Sequence, residues 1–234
     1  MMVDPIIGVK VAVSDHRSSN PTGKELIRLA TAARRAGLLS NTPGLVTMHM
    51  GSGKGGLEPV FYALDHSDLP ARNLLPTHMG RSRELINQGV ELVRRGGYMD
   101  VTAGCDPAEV EAMADMIEYA LGKKGVTTEH MTISSDGYGS QPRFNELGEC
   151  VGLTYASPKS LHETVKCLAR RGRDLTEVLR LVTATPADIL GKVGVKGCVA
   201  QGADADLLVL GENLASDGLF ARGRTALWQG EVLM

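Results

Sequence analysis

The sequence predicts an α/β fold with a mostly parallel sheet of barrel type, followed by a small β appendage. Five strand-like segments alternate with four helical segments at the spacing of strand–helix units. The first strand, 6–13, is nearly continuously apolar, which is typical of a strand covered on both faces of a parallel sheet. After Gly194 the chain changes to short apolar runs separated by turn residues, which indicates a separate β segment.

The first helix is predicted from its own start and stop signals. Thr22 and Glu25 have the spacing of a capping box, and a helical apolar stripe ends at Gly37. The other strands are expected at 44–50, 73–77, 98–102 and 131–135, and the helices between them at 57–64, 84–95 and 107–121. Of these strands, 98–102 carries no residue that is an obvious metal ligand.

The remainder of the chain is predicted in two parts. Residues 141–157 are expected to form a long irregular stretch, of the kind that is usually functional or covers a site. Helices are then expected at 158–171, 174–181 and from Thr185, and a strand at 207–210 before a hairpin of 225–228 with 231–233. We therefore assign 1–192 to the barrel-type part and 193–234 to the small β-domain.

The composition excludes several classes of function. The 234 residues carry a formal net charge of −2 with a pI near 6.3, which leaves no basic face for nucleic acid. No apolar run has the length of a membrane span and no signal peptide is found, so we expect a soluble, cytoplasmic protein without membrane contact. The four cysteines are scattered and form no CxxC pair, so neither a zinc knuckle nor a disulfide framework is indicated.

Four chemically distinctive residues share one kind of position. Lys10, His49, His78 and Asp136 each lie at or near the carboxyl end of a predicted parallel strand, so in a barrel they would meet at one rim. Two imidazoles and a carboxylate suit zinc or a similar divalent ion. A protonated lysine has no lone pair for a metal, but a neutral amine that is carbamylated by carbon dioxide becomes an anionic bridging ligand.

Each of these residues also has an ordinary explanation. A single histidine at a strand end is more often a hydrogen-bonded group than a metal ligand. Asp136 can cap a local turn, and Lys10 can extend from its strand to solvent. Metal binding is favoured because four such residues coincide on four strands.

Three polar residues lie just beyond the candidate ligands. They are Arg17, Arg81 and Ser140. A guanidinium fork near a metal is suited to a substrate carboxylate. Ordinary surface ion pairs are the alternative for the arginines.

Four motifs carry a resemblance to a known family. They are Gly8-Val9-Lys10-x-Ala12-x-Ser14-Asp15-His16-Arg17-Ser18, His49-Met50-Gly51, Leu74-Leu75-Pro76-Thr77-His78 and Ser134-Ser135-Asp136-Gly137-x-Gly139-Ser140-Gln141-Pro142. Together they resemble the isoaspartyl (β-aspartyl) dipeptidases of the amidohydrolase superfamily, and residues 202–209 resemble that superfamily's closing β-domain. The resemblance implies a partial (β/α)8 metal-dependent hydrolase barrel, about strands 4 to 8, plus a C-terminal segment of a small β-sandwich.

The resemblance also implies a role for each candidate residue. Lys10 would be carbamylated and bridge two zinc ions, and His49 and His78 would hold the second ion. Asp136 would bind the first ion and act as the catalytic proton shuttle. The charged ends of a dipeptide substrate would be held by Arg17, Arg81 and Ser140. The implied reaction is zinc-dependent hydrolysis of β-aspartyl dipeptides by a metal-bound hydroxide, in a homo-oligomer if the enzyme is complete.

The sequence lacks several features of the first strands of the family's barrel. It contains no His-x-His pair, which the family's first barrel strand uses for the first metal. The family's glutamate for the substrate amino group and its tyrosine for the scissile carbonyl also have no counterparts. The resemblance therefore predicts the C-terminal portion of such an enzyme. The alternatives are a catalytically inactive truncated barrel, a subunit of a split enzyme, or another amidohydrolase acting on cyclic or linear amides.

Overall fold

The first part of the chain consists of parallel strands that alternate with helices. The structure, a computed structural model, describes residues 6–16, 18, 20–145, 147 and 149–233. Strands β1 to β5 span Gly8–Val13, Leu45–Met50, Leu74–Thr77, Met99–Thr102 and Met131–Ser134. Helices α1 to α4 span Gly23–Ser40, Glu58–Asp65, Arg83–Arg94 and Pro107–Leu121. The predicted α/β alternation is confirmed.

The helices begin where the sequence places capping residues. The Thr22 hydroxyl accepts a hydrogen bond from the Glu25 backbone N–H at 3.4 Å, and the Thr22 N–H donates to Glu25 Oε2 at 2.8 Å. The side chains of Ser82 and Asp106 cap α3 and α4 by accepting one backbone N–H bond each, at 3.1 and 2.9 Å, without the reciprocal bond. Pro107 occupies the first turn of α4, where its missing N–H costs nothing.

The parallel strands form two sheets. Strands β1, β2 and β3 pair in chain order, and β4 pairs with β5. Ala12 lies opposite His49, and His49 lies opposite Thr77, so these residues share one face of the first sheet. The core lies between the strands and the helices, and its fully buried large side chains include Leu26, Met48, Leu74, Ile86 and Met99.

The prediction of a long irregular stretch at 141–157 was wrong. Strands β6 (Ser140–Phe144) and β7 (Cys150–Tyr155) form an antiparallel hairpin. Its turn is held by the Asn145 side-chain oxygen, which accepts backbone N–H bonds from residues 147 and 149 at 3.0 and 2.9 Å. Every residue of β7 is exposed, so the strand lacks the apolar alternation that reveals a half-buried strand in a sequence.

The rest of the chain adds three helices and a small sheet. Helices α5 to α7 span Lys159–Arg170, Leu175–Arg180 and Ala184–Ile189. Strands β8 to β11 span Leu207–Leu210, Ser216–Ala221, Arg224–Trp228 and Glu231–Val232, in the antiparallel order β11-β10-β9-β8. The predicted hairpin is present as β10 and β11. Strand β9 was missed because it begins with Ser216, Asp217 and Gly218, which have low strand propensity. Across the described ranges, no helix combines the length and apolarity needed to span a bilayer.

Candidate active site

A cavity of about 570 Å³ opens at the carboxyl ends of the parallel strands. It is lined by the predicted site residues His49, His78, Arg81, Asp136 and Ser140. These residues come from β2, from the turns after β3 and β5, and from the start of β6. In parallel α/β folds this edge of the sheet is where substrates bind.

The two predicted imidazole ligands lie side by side in the cavity wall. The ring centroids of His49 and His78 are 4.3 Å apart, with an interplanar angle of 69°. His49 Nε2 lies 3.3 Å from Asp15 Oδ2 and 3.4 Å from Arg81 Nη2. A proton on this nitrogen favours the Asp15 contact, and a lone pair favours the Arg81 contact. The two contacts therefore require opposite hydrogen positions on His49 Nε2.

His78 is held as a neutral imidazole. Its pKa is lowered to about 4, chiefly by burial, and also by the charge that His49 carries when protonated and by the charge of Arg81. The Asp136 carboxylate acts in the opposite direction. His78 Nδ1 lies 2.6 Å from the Thr102 hydroxyl oxygen. A neutral ring with one nitrogen in a hydrogen bond can offer its other nitrogen to a metal ion.

Sharp backbone turns follow the two strands that carry His78 and Asp136. The backbone φ angle is +65° at His78 and +49° at Asp136. For residues other than glycine this left-handed conformation costs on the order of 1 kcal/mol. At Gly139 a Cβ would lie 2.7 Å from the Asp136 carbonyl oxygen and 2.8 Å from its Oδ2, so the turn after β5 needs glycine there. The turns place both side chains in the cavity just past their strands.

A buried aspartate that the sequence did not single out joins three of the strands. Asp100 in β4 is 4% exposed and accepts hydrogen bonds from the hydroxyls of Thr77, Thr132 and Ser134 at 2.6, 2.7 and 2.6 Å. Burial raises the pKa of Asp100 to about 6, while the three hydroxyl donors act to lower it. The available signal was an acidic residue within a short, otherwise buried strand.

Of the remaining two predicted residues, Lys10 does not line the cavity. Lys10 lies within β1 opposite Thr47 and is exposed, so it extends to solvent. Its charge nevertheless contributes to the lowered pKa of His78. Arg17 lies outside the described residues. Among the residues that the structure describes, no group of three or more His, Cys, Asp or Glu side chains is arranged to hold a metal ion.

Asp15 and Thr102 contact the predicted ligands and line the same cavity, but were not singled out as site residues. Asp15 follows β1 and Thr102 ends β4. Both therefore have the strand-end placement that selected the histidines. They were missed because their partners, His49 and His78, are distant in the sequence.

The parallel strand–helix units with a cavity at the strand ends define a protein of the parallel α/β class. A family model described as "Amidohydrolase family" matches residues 54–226. The chain belongs to the amidohydrolase family. His78 and Asp136 lie within the matched range, whereas Lys10 and His49 precede it.

Solved structures show the same relationship. A β-aspartyl dipeptidase from Fervidobacterium islandicum AW-1 in complex with β-Asp-Leu is 35% identical, with a TM-score of 0.88 over 100% of this chain and 60% of that chain. A second structure of β-aspartyl dipeptidase from the same source is 32% identical, with a TM-score of 0.83 over 99% of this chain and 59% of that chain.

A more distant structure shows the fold alone. An adenosine deaminase from Xanthomonas campestris with bound zinc is 16% identical, with a TM-score of 0.54 over 96% of this chain and 52% of that chain. The chain thus spans about 60% of the length of the β-aspartyl dipeptidases that it resembles.

Proposed function

We propose that the chain carries part of the active site of a metal-dependent hydrolase of β-aspartyl (isoaspartyl) dipeptides. The proposal depends on the convergence of His49, His78, Arg81 and Asp136 on one cavity. It is supported by 35% identity, over the whole chain, to a β-aspartyl dipeptidase whose structure contains β-Asp-Leu. In this proposal residues 1–192 correspond to about strands 4 to 8 of a (β/α)8 barrel, and 193–234 to part of its small β-domain.

Zinc is the proposed cofactor, and the donor chemistry of the cavity fits it. The neutral ring of His78 and the adjacent ring of His49 supply nitrogen donors, and Asp136 supplies carboxylate oxygens. When bound, zinc polarises a substrate carbonyl and makes a nucleophile available from water at neutral pH. In the finer part of the proposal, Lys10 would be carbamylated and would help to hold a second zinc ion. The exposure of Lys10 leaves its amine accessible to carbon dioxide.

The side chains of the cavity suit the remaining tasks of amide hydrolysis. Asp136 is exposed to the cavity and would accept the proton of the attacking water, then pass it to the leaving amine. Arg81 and Ser140 line the same cavity and would bind the charged ends of the dipeptide. Arg17 would share this task.

A second candidate is a chain that is inactive alone and contributes its residues to a split or assembled site. Two observations favour it. The sequence contains no His-x-His pair, and the described residues contain no group of three or more His, Cys, Asp or Glu side chains placed to hold a metal ion. Such a subunit would bind zinc weakly or not at all until its partner is present.

Assays of zinc binding and hydrolysis on the purified chain distinguish the two candidate functions. We expect zinc to bind the chain and β-Asp-Leu to be hydrolysed, measured by elemental analysis and by release of leucine. No turnover by the chain alone, with zinc binding and turnover both appearing after mixing with a polypeptide that carries a His-x-His strand, would support the subunit. Absence of both zinc binding and turnover, including after mixing with a polypeptide that carries a His-x-His strand, would overturn both candidates.

Arg81→Met is expected to raise KM for β-Asp-Leu by about 10- to 100-fold, because it removes a guanidinium that would pair with a substrate carboxylate. Zinc content should be nearly unchanged, and steady-state kinetics with metal analysis measure both. The matched control is Arg83→Met, since Arg83 is exposed, packs over the Tyr119 ring and does not line the cavity. Loss of zinc in Arg81→Met would instead mean that Arg81 acts by supporting His49, 3.4 Å away.

A further inference from the structure

We propose that Asp100 is a positioning residue that fixes the end of β3 relative to the end of β5, and through them His78 relative to Asp136. This inference builds on the proposed function, because it concerns the metal-binding pair of that site. It depends on the three hydroxyl contacts of one carboxylate, at 2.6 to 2.7 Å.

Two of the three donors are placed directly beside the site. Thr77 is the last residue of β3 and immediately precedes His78. Ser134 is the last residue of β5 and lies two residues before Asp136. Both hydroxyls donate to the same oxygen, Asp100 Oδ2, at 2.6 Å. A single carboxylate oxygen therefore connects the two strand ends that carry the proposed ligands.

The connection crosses a gap between the two parallel sheets. Strand β3 belongs to the sheet of β1 and β2, whereas β4 pairs with β5. Within the described part of the chain, no strand ladder joins β3 to β4. The bond from Thr77 to Asp100 spans this gap, as does the contact of His78 Nδ1 with the Thr102 hydroxyl, so the separation of His78 and Asp136 depends on side-chain contacts instead of on backbone pairing.

The chemistry of the network requires a carboxylate. A carboxylate offers two acceptor oxygens, and here Oδ2 receives two donors while Oδ1 receives the third. An asparagine has one acceptor oxygen and an amide that itself donates, so it cannot accept all three hydroxyls. Burial of an ionisable group is costly, and in some proteins such a group imposes a specific geometry.

The donors provide matched variants for a test on the full chain. Thr77→Val and Ser134→Ala each remove a hydroxyl beside the site. Thr132→Val removes the third hydroxyl from the same carboxylate, but Thr132 lies two residues further from Asp136 than Ser134 does. If Asp100 has a purely structural role, all three variants should change zinc affinity to a similar extent. If Asp100 positions the site, only Thr77→Val and Ser134→Ala should change it.

The first measurement is zinc affinity, by competition with a chromophoric chelator at matched fractions of folded protein. Thr77→Val and Ser134→Ala should weaken zinc binding by about 10- to 100-fold, the usual effect of removing support from a metal ligand. Thr132→Val should stay within about twofold of the wild type. Equal weakening in all three variants, or none in Ser134→Ala, would overturn the inference.

A metal-free measurement separates this inference from the proposed function. In imidazole ¹H–¹⁵N spectra, Ser134→Ala should shift the His78 signals, because the altered tether reaches His78 through Asp100 and Thr77. Thr132→Val should leave those signals in place. If wild-type protein binds no zinc, the proposed function fails, and the His78 signals still decide the positioning role: unshifted signals in Ser134→Ala refute it.

Discussion

Asp136→Asn is expected to reduce turnover of β-Asp-Leu by about 10²- to 10⁴-fold, the usual contribution of a general base. The amide has nearly the shape of the carboxylate but can neither accept the water proton at neutral pH nor bind a metal as an anion. The backbone should tolerate the change, because asparagine is among the residues that adopt the left-handed φ of +49° found there. The measurement is kcat at saturating zinc, so that a weaker metal site is not mistaken for the lost base.

The matched control for this prediction is Asp106→Asn. Asp106 caps α4 near the cavity residues Cys105 and Glu109 but does not itself line the cavity. Asparagine caps helices as well as aspartate does, so this variant should retain wild-type kcat and stability. A wild-type kcat in Asp136→Asn at saturating zinc would remove Asp136 from the proton transfer.

Much of the fold could be predicted from the sequence because its signals are local. Helix α4 has its predicted bounds, since Asp106 and Pro107 determine where it starts. Strand β2 was expected at 44–50 and spans Leu45–Met50, because a buried parallel strand is a continuous apolar run. The hairpin of β6 and β7 has neither a capping signal nor a continuous apolar run. It is held by main-chain pairing and by the turn at Asn145, and the apolar residues of β7 are all exposed, so that strand shows no burial pattern.

The residues of the candidate site also fall into two groups, those that the sequence predicted and those that it missed. One rule, that chemistry follows the carboxyl ends of parallel strands, led to His49, His78 and Asp136 without knowledge of any contact. The rule carries no information on which side chains meet. The bonds from Thr77 and Ser134 to Asp100 join residues 23 and 34 positions apart, and a sequence alone does not encode such pairs locally. The residues that hold the site in place were therefore missed.

The ionisation of Asp100 should make the stability of the protein depend on pH in an unusual direction. Its pKa is about 6 in the folded protein, above the ordinary value of 3.8, because burial disfavours the charged form. A raised carboxyl pKa means that the folded state holds this proton more tightly than the unfolded state. The associated stability is fully present below pH 3.8 and is lost as pH rises through 6. A pKa shift of this size changes the free energy of unfolding by about 3 kcal/mol.

Asp100→Asn isolates this contribution, because asparagine stays neutral at every pH and nearly preserves the side-chain shape. At low pH the wild type should be the more stable protein, since a protonated carboxyl accommodates the surrounding hydroxyls better than an amide. Between pH 4 and pH 8 the difference in unfolding free energy should move by about 2.5 kcal/mol in favour of Asp100→Asn. Urea denaturation of both proteins across this range measures the difference, and subtraction removes the titration of all shared groups.

A difference that does not change with pH would show that Asp100 has the same pKa in the folded and unfolded states. In that case its hydroxyl donors would fully offset the cost of burial, and the network would stabilise the strand ends equally at neutral and acidic pH.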